Sequence, residues 1–167
     1  DRATTVASVN FAVSRHDEPE GIIWATRAVR RREIVRTGIA DLARLIDLEG
    51  VGAALTDAAV AALTGGLQAA QLGVARRLGR PLPTRLLVVG MGPLGGGELG
   101  YGSDADVLFV DDPLPGEGES AAQEAAVSVV SELRRLLART GPEPGLDVDP
   151  DLRPEGRNGP LVRTLDS

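Results

Sequence analysis

The stretch from Gly90 to Val110 constrains this chain more than any other. It reads Gly-Met-Gly-Pro-Leu-Gly-Gly-Gly-Glu-Leu-Gly-Tyr-Gly-Ser-Asp-Ala-Asp-Val-Leu-Phe-Val. The apolar runs at its two ends, Leu86–Val89 and Val107–Val110, read as buried strands. Its first six residues match G-x-G-x-x-G after a strand. Asp111 follows about 20 residues later, where a ribose-binding acid sits in a dinucleotide-binding fold. That fold needs a long crossover helix between its two strands. Between Gly95 and Asp104 there is room for about two turns at roughly 3.6 residues per turn, and Gly100 and Gly102 shorten even that. A Rossmann oxidoreductase is therefore a remote alternative, and it leaves Asp104 and Asp106 unused.

Those two aspartates support a different chemistry. On an extended strand, residues i and i+2 point to one face, about 6.6–7 Å apart at Cα. Their carboxylates can converge on one or two Mg²⁺ ions, hard cations that prefer oxygen ligands. The glycines just before them let a phosphate approach the backbone closely. Asp147, Asp149 and Asp151 share a face by the same period, on a third strand expected near Leu146–Leu152. Any of the three is a candidate third carboxylate, and spacing alone does not choose. Metals held by three carboxylates recur in phosphoryl and nucleotidyl transfer. Arg153 and Arg157 follow that strand and are candidates for bidentate phosphate contacts. Tyr101 and Glu98 are candidates for the pocket rim, or for packing and capping around a short helix.

Composition narrows the class. The chain has 167 residues, a net charge of −6 and no cysteine, and every basic residue is arginine. Disulfides and thiolate metal sites are excluded, and the acidic balance argues against a general nucleic-acid binder. His16 is the single histidine, so neither a histidine metal cluster nor a Ser-His-Asp triad can form. It lies in a polar stretch and is expected to be a solvated surface residue. No signal peptide is apparent, and no apolar run reads as long enough to span a bilayer. The expectation is a cytoplasmic protein with no membrane contact. A start at Asp1 without methionine, with a strand candidate close to Ser167, suggests an excerpt of something longer.

The rest of the chain reads as follows. Residues 1–20 give little pattern. From Ile22 to Leu48 the period is helical, with Val35, Ile39, Leu42 and Ile46 on one stripe. The run Arg30–Glu33 is expected on a solvated helical face. Gly50 and Gly52 mark a break. A second helix then carries Leu63, Leu67, Ala70, Val74 and Leu78 on one stripe, with Gly65 and Gly66 weakening its middle by roughly 1 kcal/mol each. The short connection implies two antiparallel packed helices. Ser120 with Gln123 matches a capping box, so a helix should start there and bury Ala126, Val130, Leu133 and Leu137. Asn158-Gly159 signals a hairpin turn, with Leu161-Val162 as its return strand. The division expected is a helical region over 1–80 and a catalytic core over 81–167.

The glycine-rich stretch through Asp106 resembles a signature of the bacterial glutamine synthetase adenylyltransferases, regulators of nitrogen assimilation. Val148-Asp-Pro-Asp-Leu-Arg153-Pro-Glu-Gly156, followed by Arg-Asn-Gly-Pro-Leu-Val, resembles that family's second signature. The likeness covers the chain from about Arg30 onward, the helical part more loosely. It implies an α+β fold with a DNA-polymerase-β-like nucleotidyltransferase core preceded by helices. It implies that Gly95 and Gly96 hold phosphate, with Ser103 and Arg153 also at the nucleotide. Asp104 and Asp106 match the metal pair, and Asp149, rather than Asp147 or Asp151, matches the third carboxylate. The activity implied is Mg²⁺-dependent transfer of AMP from ATP to a tyrosine of glutamine synthetase, with two ions and a PII-type regulatory partner. The family has an AMP-adding and an AMP-removing half. The form Gly-Tyr-Gly-Ser-Asp-Ala-Asp looks more like the C-terminal, adenylylating one, here as a fragment lacking the helical segment that follows. The removing half, or a binding fragment without turnover, is the alternative. Pro93, Gly97 and Asp151 depart from the pattern, which commonly has a basic residue, a larger residue and in some cases arginine there.

Overall fold

A computed structural model describes residues 1–139, 141, 144–152 and 158–165. Among these residues, five helices and four strands follow in order: α1 Arg2–Val13, α2 Pro19–Leu42, α3 Leu48–Leu78, β1 Thr84–Gly90, α4 Gly92–Gly96, β2 Ala105–Pro113, α5 Glu119–Ala138, β3 Val148–Asp149 and β4 Arg163–Thr164. The class is α+β, a helical layer against a small mixed sheet, as expected of a nucleotidyltransferase core.

The 31-residue α3 is the axis of the molecule, with α1, α2 and α5 packed against it. It starts where Asp47 accepts from the Gly50 amide at 2.8 Å, an N-cap that satisfies one of the orphan donors of the first turn. The break between α2 and α3 therefore falls at 43–47, with Arg44 left-handed at φ 55, and not at Gly50 and Gly52, which lie inside α3. By length and composition α3 is apolar enough to cross a bilayer, contrary to the sequence expectation; in the fold most of that stretch is buried against protein. Gly65 and Gly66 are sites of close approach. A Cβ at Gly65 would stand 2.2 Å from Thr26 Oγ1 on α2, and one at Gly66 would stand 2.9 Å from Leu133 Cδ1 on α5. Their helix-propensity cost is offset by the packing they permit.

Two readings of α2 are corrected. Val35, Ile39 and Leu42 face outward, Leu42 with 88% of its surface exposed. The buried face instead carries Ile22, Ile23, Thr26, Val29, Arg30 and Glu33. Arg30 is not on a solvated face, since it donates to the carbonyls of Pro144 and Gly145 at 3.1 and 3.0 Å. Arg27 donates likewise to the Arg139 carbonyl. Guanidinium groups here satisfy carbonyls in and beside the loop after α5, a role that carries no apolar period to read. The first helix, α1, leaves no pattern in the sequence. It is capped by Asp1, which accepts from the Thr4 amide at 3.1 Å, and it buries Val9 and Val13. His16 is half-buried rather than fully solvated, packed over Gly21.

In the sheet, β1 and β2 are antiparallel, with Thr84 opposite Pro113 and Gly90 opposite Val107. This pairing removes the Rossmann alternative, whose first two strands must be parallel. On β2 the residues Ala105, Val107, Phe109 and Asp111 face the core. Strand β1 is buried on one side only, with Leu87 and Val89 open to solvent. The other edge of β2 is shared end to end: β3 pairs parallel with Ala105 and Asp106, and β4 pairs parallel with Val110 and Asp111. The expected hairpin is thus not formed between β3 and β4. The chain instead returns to β2 further along, Leu165 donating to the Asp111 carbonyl at 3.0 Å. Of the expected turn at 155–159, residues 155–157 lie outside the described residues. Helix α5 covers the core face with Ala126, Val130, Leu133 and Leu137 buried as expected. Its N-cap is Gly118, with no capping box: Gln123 Nε2 is spent on the Val162 carbonyl at 2.8 Å.

Asp111 is fully buried, and neither carboxylate oxygen has a hydrogen-bond partner among the described residues. Burial pushes its carboxyl above the usual range; its own backbone amide opposes this, and Asp112 adds to it. The folded state therefore holds the Asp111 proton more tightly than the unfolded chain. The resulting penalty is absent below about pH 3.9, the ordinary aspartate value, grows as pH rises toward the raised value, and is constant above it. Asp111→Asn is expected to stabilise the fold at pH 7 by about 1 kcal/mol or more. Urea melts at several pH values should show this gap closing on acidification, whereas a gap independent of pH would contradict it.

Candidate active site

Asp104, Asp106 and Asp149 each offer a carboxylate oxygen within 4.8 Å of the others. The backbone places them. Asp106 pairs with Asp149 in the parallel register of β2 and β3, so their side chains stand on neighbouring strands, about 4.8 Å apart. Asp104 precedes β2 and shares the face of Asp106, opposite the core. The short strand β3 is held by Ala105, which donates to the Asp147 carbonyl at 2.8 Å, and by Arg134 of α5, whose Nε donates to the Val148 carbonyl at 3.0 Å. Among the three acids that spacing leaves open, Asp149 is the one brought to the pair. Asp147 and Asp151 stay out of the cluster, and the Asp151 amide donates to Asp149 Oδ1 at 2.8 Å.

The Asp106 carboxyl is raised by desolvation first, then by the charges of Asp104 and Asp149. Three hard oxygen donors at this separation, one exposed and two half-buried, fit Mg²⁺ or Mn²⁺ better than any soft cation.

The glycine-rich turn presses against this cluster. Gly92 adopts φ +47, and a Cβ there would lie 2.9 Å from Asp106 Oδ2. Motif spacing places Gly92 only in the dinucleotide decoy, yet it is a glycine of this site. The positive φ, not the spacing, is its signal. The Met91 amide donates to the Asp106 carbonyl at 2.8 Å, tying turn to strand. At Gly95 a Cβ would meet the Gly90 carbonyl at 2.7 Å, whereas at Gly96 it would make only ordinary contact, 3.8 Å from Glu98 Cδ. Ser103 closes the next turn, its Oγ accepting from the Gly100 amide at 3.0 Å. Arg153 and Arg157 lie outside the described residues. Glu98 and Tyr101 line a cleft of about 900 Å³ between the glycine-rich loop and the α2–α3 corner, with Asp41, Glu49 and Gly52. The Tyr101 hydroxyl donates to Asp41 at 3.0 Å, a contact 60 residues apart in sequence that no local pattern announces.

Comparison with known families and curated proteins agrees with this geometry. The family model described as glutamate-ammonia ligase adenylyltransferase matches residues 2–167. A bifunctional glutamine synthetase adenylyltransferase/adenylyl-removing enzyme of Streptomyces coelicolor is 47% identical, covering 100% of this chain and 18% of the relative. Enzymes of the same description from Mycobacterium avium and Mycobacterium tuberculosis are 46% and 47% identical, covering 100% and 99% of this chain. The chain spans 17% and 16% of their lengths. On this match over nearly the whole chain, and on the carboxylate cluster beside its glycine-rich turn, the chain belongs to the glutamate-ammonia ligase adenylyltransferase family.

Proposed function

We propose that this chain carries the site that moves AMP from ATP to a tyrosine of glutamine synthetase. The observation that carries this reading is the convergence of Asp104, Asp106 and Asp149 beside a turn narrow enough to need Gly92 and Gly95. The three aspartates would hold Mg²⁺, two ions in the fullest form. When bound, the metal stabilises charge developing on the triphosphate and lowers the pKa of an attacking hydroxyl. The chain's own groups do the rest. Gly95 and Gly96 leave backbone accessible as the triphosphate's seat, Ser103 shapes the turn leading to Asp104, and Arg153 supplies guanidinium to phosphate. The tyrosine hydroxyl gives up its proton to solvent as its oxygen bonds to the α-phosphorus, the α–β bridging bond breaks, and pyrophosphate leaves with that electron pair.

The division into a helical region, 1–80, and a catalytic core, 81–167, belongs to this proposal. So do a PII-type regulatory partner, a cytoplasmic location and the absence of nucleic-acid or membrane partners. The adenylylating assignment rests on the form Gly-Tyr-Gly-Ser-Asp-Ala-Asp at 100–106; the AMP-removing half, working by phosphorolysis, is the alternative. An Asp149→Asn variant of the intact enzyme decides between them. With α-labelled ATP, Mg²⁺ and glutamine synthetase, label transfer should be lost. Phosphate-dependent release of ADP from pre-labelled glutamine synthetase should persist. Loss of release with retained transfer would reassign the chain to the removing half, and retention of both would end the metal-site reading.

A further inference from the structure

Of the three clustered aspartates, Asp104 alone lies outside a strand. Asp106 and Asp149 are fixed by the pairing of β2 with β3; Asp104 is fixed on one side by Ala105 of β2 and depends on the other side on the chain leading into it. That chain, residues 97–103, is bonded to the helical layer at two points. Leu99, itself buried, donates its amide to Thr56 Oγ1 of α3 at 3.3 Å, and Thr56 is fully buried. Two residues on, the Tyr101 hydroxyl donates to Asp41 in the last turn of α2. Between these points α3 comes against the loop backbone. A Cβ at Gly52 would lie 3.1 Å from Glu98 Cα and 3.3 Å from the Gly97 carbonyl, tighter than a side chain ordinarily sits against backbone, so the glycine favours this close approach. The Ser103–Gly100 closure then carries the fixed path directly into Asp104.

We infer that Thr56 and Asp41, far from the signature in sequence, are positioning residues that set Asp104 through the loop, and that the α2–α3 corner is thereby part of the catalytic apparatus. This rests on the proposed metal-dependent transfer. A buried hydroxyl accepting the one amide the loop presents to it has no equal partner to replace it, and outer partners of metal ligands typically cost about 10–100-fold when removed.

The test uses the intact enzyme with ATP, Mg²⁺ and glutamine synthetase. Thr56→Val keeps shape and removes the acceptor; it should lower kcat about 10-fold and, read by thermal melts without ATP or glutamine synthetase, raise the Mn²⁺ concentration for the half-maximal melting shift several-fold, with the Mg²⁺ requirement of the reaction moving alike. The KM for glutamine synthetase should stay near wild type. Thr56→Ser should restore both quantities. Tyr101→Phe, at a solvent-exposed contact, should shift the Mg²⁺ requirement in the same direction by less, and it decides the matter if Thr56→Val does not fold. A wild-type Mg²⁺ requirement in the folded variants, or a loss that Thr56→Ser fails to rescue, overturns the inference. Asp104→Asn runs alongside: full activity there would overturn the functional reading itself, and this inference with it.

Discussion

Asp106→Asn is expected to cut AMP transfer by the intact enzyme on the order of 10³-fold or more, beyond the loss from deleting a single transition-state donor. In the absence of metal it is expected to raise the melting temperature. Both follow from one arrangement: partial burial and the neighbouring carboxylates of Asp104 and Asp149 hold the Asp106 carboxyl above the usual range. Removing its charge relieves the metal-free fold and deletes one of the three proposed ligands. The pH dependence has a definite sign. A carboxyl raised on folding weakens the fold as pH rises from the ordinary aspartate range toward the raised value. The metal-free wild type should therefore lose stability over that window, and the variant should lose less. Metal binding needs the ionised form, so the Mn²⁺-induced thermal shift of the wild type should fade on acidification through the same window. It should be absent from the variant at every pH. Thermal melts with and without Mn²⁺, beside the transfer assay, read all of this. An active variant, or one with an undiminished Mn²⁺ shift, would refute the assignment of Asp106 as ligand.

The site is legible in the sequence because its parts are local. Gly90 to Asp106 is a single stretch, and the short span between Gly95 and Asp104 by itself leaves no room for a crossover helix. Spacing does not select Asp149 over Asp147 or Asp151. The parallel register that sets it opposite Asp106 is a long-range fact, and only resemblance anticipates it. The helical layer is less legible for a physical reason. Helix α2 buries Thr26, Arg27, Arg30 and Glu33 and exposes Val35, Ile39 and Leu42, so the apolar period points to the wrong face. Its packing surface is set by small residues on α3 and by arginines satisfying carbonyls at 139, 144 and 145. The contacts Thr56–Leu99 and Tyr101–Asp41 lie 43 and 60 residues apart and leave no periodic trace.

The same small residues give the largest expected loss of stability. Gly65→Ala adds one methyl group at a place where it would meet Thr26 Oγ1 at 2.2 Å, Thr26 Cγ2 at 2.8 Å and Val9 Cγ1 at 2.8 Å. Both neighbours are β-branched and buried, so neither can turn aside cheaply. Thr26 is held further by its hydroxyl, which donates to the Ile22 carbonyl at 2.8 Å. Relief therefore requires α1 and α2 to back away from α3, opening the best-packed part of the helical layer. Overpacking of this kind costs about 1–3 kcal/mol, and with three contacts at once the upper end or beyond is expected. Gain in helix propensity returns only about 1 kcal/mol of that. Gly73→Ala in the same helix is the matched control. A Cβ there makes only ordinary contact, 3.7 Å from Pro19 Cγ, so propensity should dominate and the variant should be more stable by about 0.4–1 kcal/mol. Opposite signs for one substitution at two glycines of one helix would separate close packing from backbone freedom. Equal signs in denaturant melts would mean that α2 and α3 do not approach this closely at Thr26 and Gly65.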